Sequence, residues 1–356
     1  MREPPPADLR SATETAPLDW DAVALHLAAN GLTLDRTPEP RQFRGGLANL
    51  NYLIHVDRRP VVLRRPPPGE LPAGAYDMAR EHRILSRLAD ALPFIPRGLL
   101  LCEDRAVIGI PFQLIEFREG MTVRDRLPPA LAGRPEAGAR LSEVVLSTMA
   151  AIHAVDPNQV GLADLGRPEG FLARAVAGWR KRGAAVQDDV SAPLIATIGA
   201  WLEAHAVPDG RPALLHNDFK LDNMILAPGD LSAVGVVDWD QGTRGDPLFD
   251  LGTTVSYWTE PDDPPALHEM GQMPTAEPGF LTREQAVARY AALSGRDLSN
   301  FRFYRALGMF KTGVIFLQLG HRYRTGVTAE QRYAGLTALA NGLLEFTLEI
   351  TRGRAF

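Results

Sequence analysis

Apolar residues recur every three to four positions in "DWDAVALHLAAN" (19–30), which predicts a helix closed by Gly31. "RQFRGGLANLNYLIHVDRRPVVLRRPP" predicts two strands joined by a tight turn at Asp57–Pro60, with the proline cluster 66–68 ending the second. "YDMAREHRILSRLADA" has an amphipathic helical pattern, and "AVIGIPFQLIEF" returns to strand. After Gly120 the texture changes. "ARLSEVVLSTMAAIHAV" carries a continuous helical stripe, and helical spacing then dominates to the end. The interruptions are "LLHNDFKLDNMIL" (214–226), the short apolar strand "SAVGVVDWD", and a proline-rich, irregular insert at 259–280.

A β-rich first part and an α-rich second part predict an α+β protein of two lobes. The expected division is a flexible leader at 1–18, an N-lobe at 19–118 and a C-lobe at 119–356. A length of 356 residues, with 45% hydrophobic and 23% charged content, fits that picture. The net charge of −5 leaves no basic footprint for nucleic acid. No apolar stretch is long enough to span a bilayer, and the N-terminus has acids and prolines where a signal peptide needs an apolar core. A cytoplasmic protein without membrane contact is the expectation. The one cysteine, Cys102, lies in an apolar run and reads as a buried thiol. "RYAGLTALANGLLEFTLEI" fits one helical stripe, expected to finish the C-lobe core; a homodimer face is the alternative to a monomer.

"HNDFKLDN" crowds six polar groups between apolar ends, more than a solvated turn requires. Asp218 is followed five residues later by Asn223, and fifteen residues beyond comes Asp238 in "VDWD". Phosphoryl transfer needs a group that orients the attacking hydroxyl and oxygen ligands for the metal that bridges the phosphates. Asp218 suits the first role, Asn223 and Asp238 the second. The spacing is that of a kinase catalytic loop, H-x-D-x-x-x-x-N, with "DWD" standing where D-F-G would be.

The chain thus resembles the aminoglycoside phosphotransferase and choline kinase-like superfamily. Within it, the chain is most similar to phosphotransferase domains related to those fused to some acyl-CoA dehydrogenases. The resemblance runs over about residues 43–326 and is carried by "HNDFKLDNMIL", "VVDWDQGTRGDPLFDLG" and "YRALGMFKTGVIFLQLGHRYRTG". It implies a protein kinase-like fold, ATP and Mg²⁺ as cofactors, and a structural role for His216, Asp246 and Asp250. Gly45 and Gly46 would let a hairpin approach the phosphates. The kinase pattern demands a lysine on the next strand. "VVLR" supplies Arg64 instead, and the only lysines are Lys181, Lys220 and Lys311. Arg64 is expected to take the phosphate role with Glu81 as its partner; Arg65 competes, but strand alternation points it to the other face. The resemblance places the adenine against the backbone of Glu116 and Arg118. It offers Lys220 as the cation that neutralises the transferring group, and Asp240 as a second metal ligand or a surface carboxylate.

The absence of a long activation segment ending in A-P-E argues for a small-molecule hydroxyl acceptor. Two charge sets compete to hold it. Glu260, Asp262, Asp263, Glu269 and Glu277 in the insert suit an aminoglycoside-like polycation. Lys311, His321, Arg322 and Arg324 suit a hydroxy acid or an acyl-linked compound. The missing lysine also admits a catalytically weak or inactive nucleotide-binding module of the same fold.

Overall fold

The computed structural model describes residues 9–44, 49–67, 76–328 and 330–356. The chain divides into two compact units, one of residues 1–121 with 224–242, the other of 122–223 with 243–356.

The first unit is built on an antiparallel sheet. Strands β1 (Leu34–Asp35), β2 (Arg41–Gln42), β3 (Leu50–Val56), β4 (Arg59–Arg65), β5 (Gly98–Cys102) and β6 (Phe112–Glu116) take the order β1-β3-β4-β6-β5, with β2 also on β3. The β3–β4 turn is shorter than expected. Asp57 and Arg58 both have positive φ, +49° and +60°, which is the two-residue turn that matches strand twist, so Pro60 already pairs with His55. Helix α1 (Trp20–Ala29) is capped by the Asp19 side chain and packs Val23 and Leu27 against Tyr52, Leu63 and Phe112 of the sheet.

Helix α2 (Met78–Leu88), capped by Asp77, buries Met78, Ile84, Leu85 and Leu88. Its stripe contains one polar member, Glu81. A four-residue helix, α3 (Arg105–Ile108), occupies part of the segment expected to be strand; Gly109 ends it with φ +83°. Cys102 is buried, as its apolar run implied.

Residues 9–18 of the expected leader are tied down. Leu9 is buried and bridges Phe43, and Ser11 and Glu14 form a capping box around the turn Ala12–Glu14. An apolar anchor, Leu9, gives the segment something to bury. The two-strand ribbon of β8 (Met224–Leu226) and β9 (Ala233–Val236) also belongs to the first unit, since β8 bridges Met121 and Val236 donates to the Phe94 carbonyl at 2.8 Å. A boundary drawn once along the chain misses this return.

The second unit is helical: α4 (Pro135–Ala154), α5 (Phe171–Ala184), α6 (Ser191–Ala204), α7 (Pro247–Ser256), α8 (Pro265–Met270), α9 (Arg283–Ser294), α10 (Phe301–Arg324) and α11 (Leu336–Thr351). Strands β7 (Ala213–Leu215) and β10 (Thr243–Gly245) pair beside them. Helix α10 is buried along most of its length and packs on α7 and α11. It meets α7 at Gly252 and Gly308, where a Cβ on either glycine would strike the other helix's backbone. That close approach fixes α7, whose first turn carries Asp250. The insert 259–280 is not wholly irregular, because it holds α8 and is tied across its base by Thr259 and Thr275, each bonded to the other's backbone or hydroxyl.

Candidate active site

In the second unit the polar loop after β7 is assembled around Asp250. Its carboxylate accepts the N–H groups of His216 at 2.7 Å and Asn217 at 2.8 Å, and His153 lies at 3.2 Å. Asn217 has φ +65°, a left-handed conformation that its side chain tolerates at some cost. Lys311 grips the same residue from the other side by donating to the Asn217 carbonyl. The residue before Asp218 is therefore clamped at both its N–H and its C=O. Asp246 caps α7 and accepts from the Gly210 N–H and the Tyr304 hydroxyl. Asp246 and Asp250 thus hold the loop, while His216 is fully buried beneath it.

Asp218 projects from this scaffold with its side chain 20% exposed. Its Oδ1 accepts the Tyr257 hydroxyl at 2.7 Å, and its Oδ2 lies 3.2 Å from Asn223 Nδ2 and 3.6 Å from Lys220 Nζ. Burial alone pushes the carboxyl pKa up. Lys220, Lys311 and the Tyr257 hydroxyl outweigh it, and the carboxyl titrates below its ordinary value. Asp218 is an ionised acceptor at neutral pH. Asn223 also donates Nδ2 to the Asp218 carbonyl at 2.8 Å, which directs its amide oxygen away from that pair. Lys220 donates to Gln272 of the insert at 2.8 Å and sits 5.1 Å from the centre of the Tyr257 ring.

In the first unit, Arg64 is buried on β4 and donates Nε to Glu81 at 2.8 Å, Nη1 to Asn51 at 3.2 Å and Nη2 to Asp238. Among the described residues, three of its five N–H groups find partners, and each Nη retains one. Burial disfavours the charge, but Asp238, Glu81 and Asp240 together raise the pKa above arginine's ordinary value. Glu81 accepts three donors: Arg64, Gln113 Nε2 at 2.7 Å and the Trp239 N–H at 3.1 Å. Asp238 has φ +68°. Its left-handed backbone is held by buried Trp239, whose indole donates to the Val236 carbonyl at 3.1 Å. Arg65 faces the other side of the sheet toward Tyr52. Glu116 ends β6 with its N–H spent on the Arg97 carbonyl, and Arg118 lies beyond the strand and pairs with Glu116 at 3.0 Å. Asp240 is half-buried. Gly45 and Gly46 lie outside the described residues.

Each unit carries an oxygen donor of the kind a hard cation takes: in the second, Asn223 has a carbonyl oxygen to offer, and in the first, Asp238 is a carboxylate with its side chain 31% exposed. Among the described residues no cluster of three or more His, Cys, Asp or Glu is placed to hold a metal ion.

Four residues of the expected acceptor walls are engaged elsewhere. Asp263 forms a two-point pair with buried Arg283 at 2.6 and 2.7 Å, and Glu260 reaches the same guanidinium at 2.7 Å. Lys311 is 2% exposed and is spent on the Asn217 carbonyl. Arg324 pairs with Asp188 at 3.2 Å. Tyr257 and Gln272 were missed in the sequence, because neither stands at a fixed spacing from Asp218.

The family model for the phosphotransferase enzyme family matches residues 39–286. The chain belongs to that family. It is 30% identical over 328 residues to acyl-CoA dehydrogenase family member 10 of Mus musculus, covering 90% of this chain and 30% of that protein. It is also 30% identical over 332 residues to family member 11 of Gallus gallus, covering 89% and 41%. The chain spans less than half the length of the curated relatives it matches. Among solved structures, a candidate aminoglycoside phosphotransferase from Ralstonia eutropha superposes with TM-score 0.77 at 23% identity, over 95% of this chain and 99% of that one. An aminoglycoside phosphotransferase solved with AMP-PNP and hygromycin B gives 0.60 at 18%, over 93% and 99%. At these identities the likeness is one of fold, and the fold is the α+β, protein kinase-like one.

Proposed function

We propose that this phosphotransferase moves the γ-phosphoryl group of ATP to a hydroxyl of a small molecule. The observation that carries the reading is the state of Asp218: an ionised carboxylate on a doubly clamped loop, with a lysine 3.6 Å away. Asp218 orients the hydroxyl and receives its proton late, as suits a loose transition state with little covalent work for the protein. Lys220 offsets charge on the transferring group. Arg64, held by Glu81, uses its two remaining N–H groups on phosphate oxygens, and the backbone carbonyl of Glu116 with the N–H of Arg118 takes the adenine edge. Asn223 and Asp238 are the residues that would hold Mg²⁺, with Asp240 as a further oxygen donor; the metal's chemistry is to neutralise the phosphate charge. Gly45 and Gly46 keep their proposed place beside the phosphates.

The acceptor we favour is a hydroxy acid or an acyl-linked hydroxy compound. The relatives at 30% identity are acyl-CoA dehydrogenase family members, and Arg283 occupies Glu260 and Asp263, two of the five insert carboxylates a polycation would use. The test is ADP release across a panel of hydroxy acids, acyl-linked alcohols and aminoglycosides. Asp218→Ala should abolish acceptor-dependent release while calorimetry still shows ATP binding. Transfer that survives this substitution overturns the assignment; metal-dependent ATP binding without transfer to any acceptor makes the chain a nucleotide-binding module.

A further inference from the structure

Tyr257 follows α7 directly and is 5% exposed, yet its hydroxyl touches the carboxylate at the centre of the proposed chemistry. The two carboxylate oxygens are consequently unlike. Oδ1 holds a short bond from a neutral phenol at 2.7 Å; Oδ2 has longer contacts, 3.2 Å to Asn223 and 3.6 Å to Lys220. We propose that Tyr257 is a positioning residue that locks Oδ1 of Asp218 and leaves Oδ2, on the Lys220 side, to take the acceptor hydroxyl. This rests on the reading of Asp218 as the hydroxyl-orienting group.

The geometry gives the arrangement a purpose. A hydroxyl on Oδ2 stands next to the lysine that would neutralise the phosphoryl group it attacks. One on Oδ1 would have to compete with the short phenol bond, whereas on Oδ2 it meets only the longer Asn223 contact. The locked rotamer also presets the attack direction, which preorganisation rewards. The groups facing Tyr257 are Asp218, Lys220, Asp250 and Thr312. Burial and Asp218 push the phenol's pKa well above its ordinary value, so Tyr257 remains a donor across the working pH range.

The test measures release of ADP from Mg·ATP in the full chain with water as the acceptor, so no identified acceptor is needed. Tyr257→Phe keeps the ring beneath Lys220, and Tyr257→Leu removes it; thermal unfolding of both is recorded in parallel. The expected result is a fall in kcat of about tenfold in Phe and a similar fall in Leu, with KM for ATP unchanged, since both lack the hydroxyl. An unchanged kcat in Phe, or a loss in Leu alone, overturns the proposal, because the ring would then act only by packing. Full transfer activity in Asp218→Asn would instead overturn the underlying reading, whatever Tyr257 does.

Discussion

Glu81 accepts the backbone N–H of Trp239 at 3.1 Å, so a helix residue of the first unit holds the peptide that follows Asp238. The same carboxylate, fully buried, carries Arg64 and Gln113. A buried pair contributes little when replaced as a whole, but removing one partner strands the other charge.

Glu81→Ala should therefore lower the unfolding free energy by about 3–5 kcal/mol, measured by urea denaturation. Arg64 would keep Asp238 and lose its best-buried counter-charge. A cost below about 1 kcal/mol would show that the three donors find other partners easily.

Arg64 and Arg65 are adjacent and both buried, but they serve opposite faces of β4. Arg64→Ala should cost about 2–4 kcal/mol of transition-state stabilisation in kcat/KM for ATP, as for the loss of one preorganised electrostatic contact. Arg64→Lys keeps the charge but loses the fork that reaches Glu81, Asn51 and Asp238 together, and should weaken activity as well. Arg65→Ala should lower Tm through its lost contact with Tyr52 and leave ATP affinity unchanged. A larger loss of ATP affinity in Arg65→Ala would reverse the two roles.

Much of this was legible in the sequence, for a physical reason. Residues whose spacing is set by one short loop, such as Asp218, Lys220 and Asn223, are fixed by local geometry and read directly. Arg64 and Glu81 were paired by the kinase pattern the chain resembles, and strand alternation served only to set Arg65 aside. What stayed hidden depended on long-range folding. Tyr257 reaches Asp218 from the end of α7, and Lys311 reaches Asn217 from α10 across 94 positions of chain. Lys311 looked like a surface cation because nothing local marks a lysine for burial. The return of 224–242 to the first unit is likewise set by contacts with Met121 and Phe94 that no periodicity records.

Lys311 gives a pH-dependent prediction. Burial pushes its pKa down to about 8 from an ordinary value of 10.5, although Asp218 and Asp250 oppose the shift. Between those two values the unfolded chain binds the proton and the folded chain does not, so this group makes stability rise with pH across that window. Lys311→Met lacks the term. The stability of the parent chain relative to Lys311→Met should therefore increase by about 2 kcal/mol from about pH 7.5 to about pH 9.5, read from denaturation curves. A pH-independent difference would mean that the buried ammonium is fully compensated by Asp218 and Asp250.

The acids of the insert offer the last test, because their role changed most between pattern and structure. Asp263 and Glu260 looked like a wall for a cationic acceptor, but both bind Arg283, whose side chain is 4% exposed. Arg305 lies nearby and is 1% exposed, over the same Phe346 ring that Arg283 covers. Two buried guanidinium groups share a small supply of negative charge. Burial and Arg283 pull the Arg305 pKa well below its ordinary value, which shows how closely the charges are balanced. Asp263→Asn should thus destabilise the chain by about 3–5 kcal/mol, whereas the exposed neighbour Asp262→Asn should change stability by less than about 0.5 kcal/mol. Neither should alter KM for a hydroxy-acid acceptor. If Asp263→Asn left the unfolding midpoint in place but weakened binding of an aminoglycoside, the insert would be a polycation site after all, and the acyl-linked acceptor would lose its structural support.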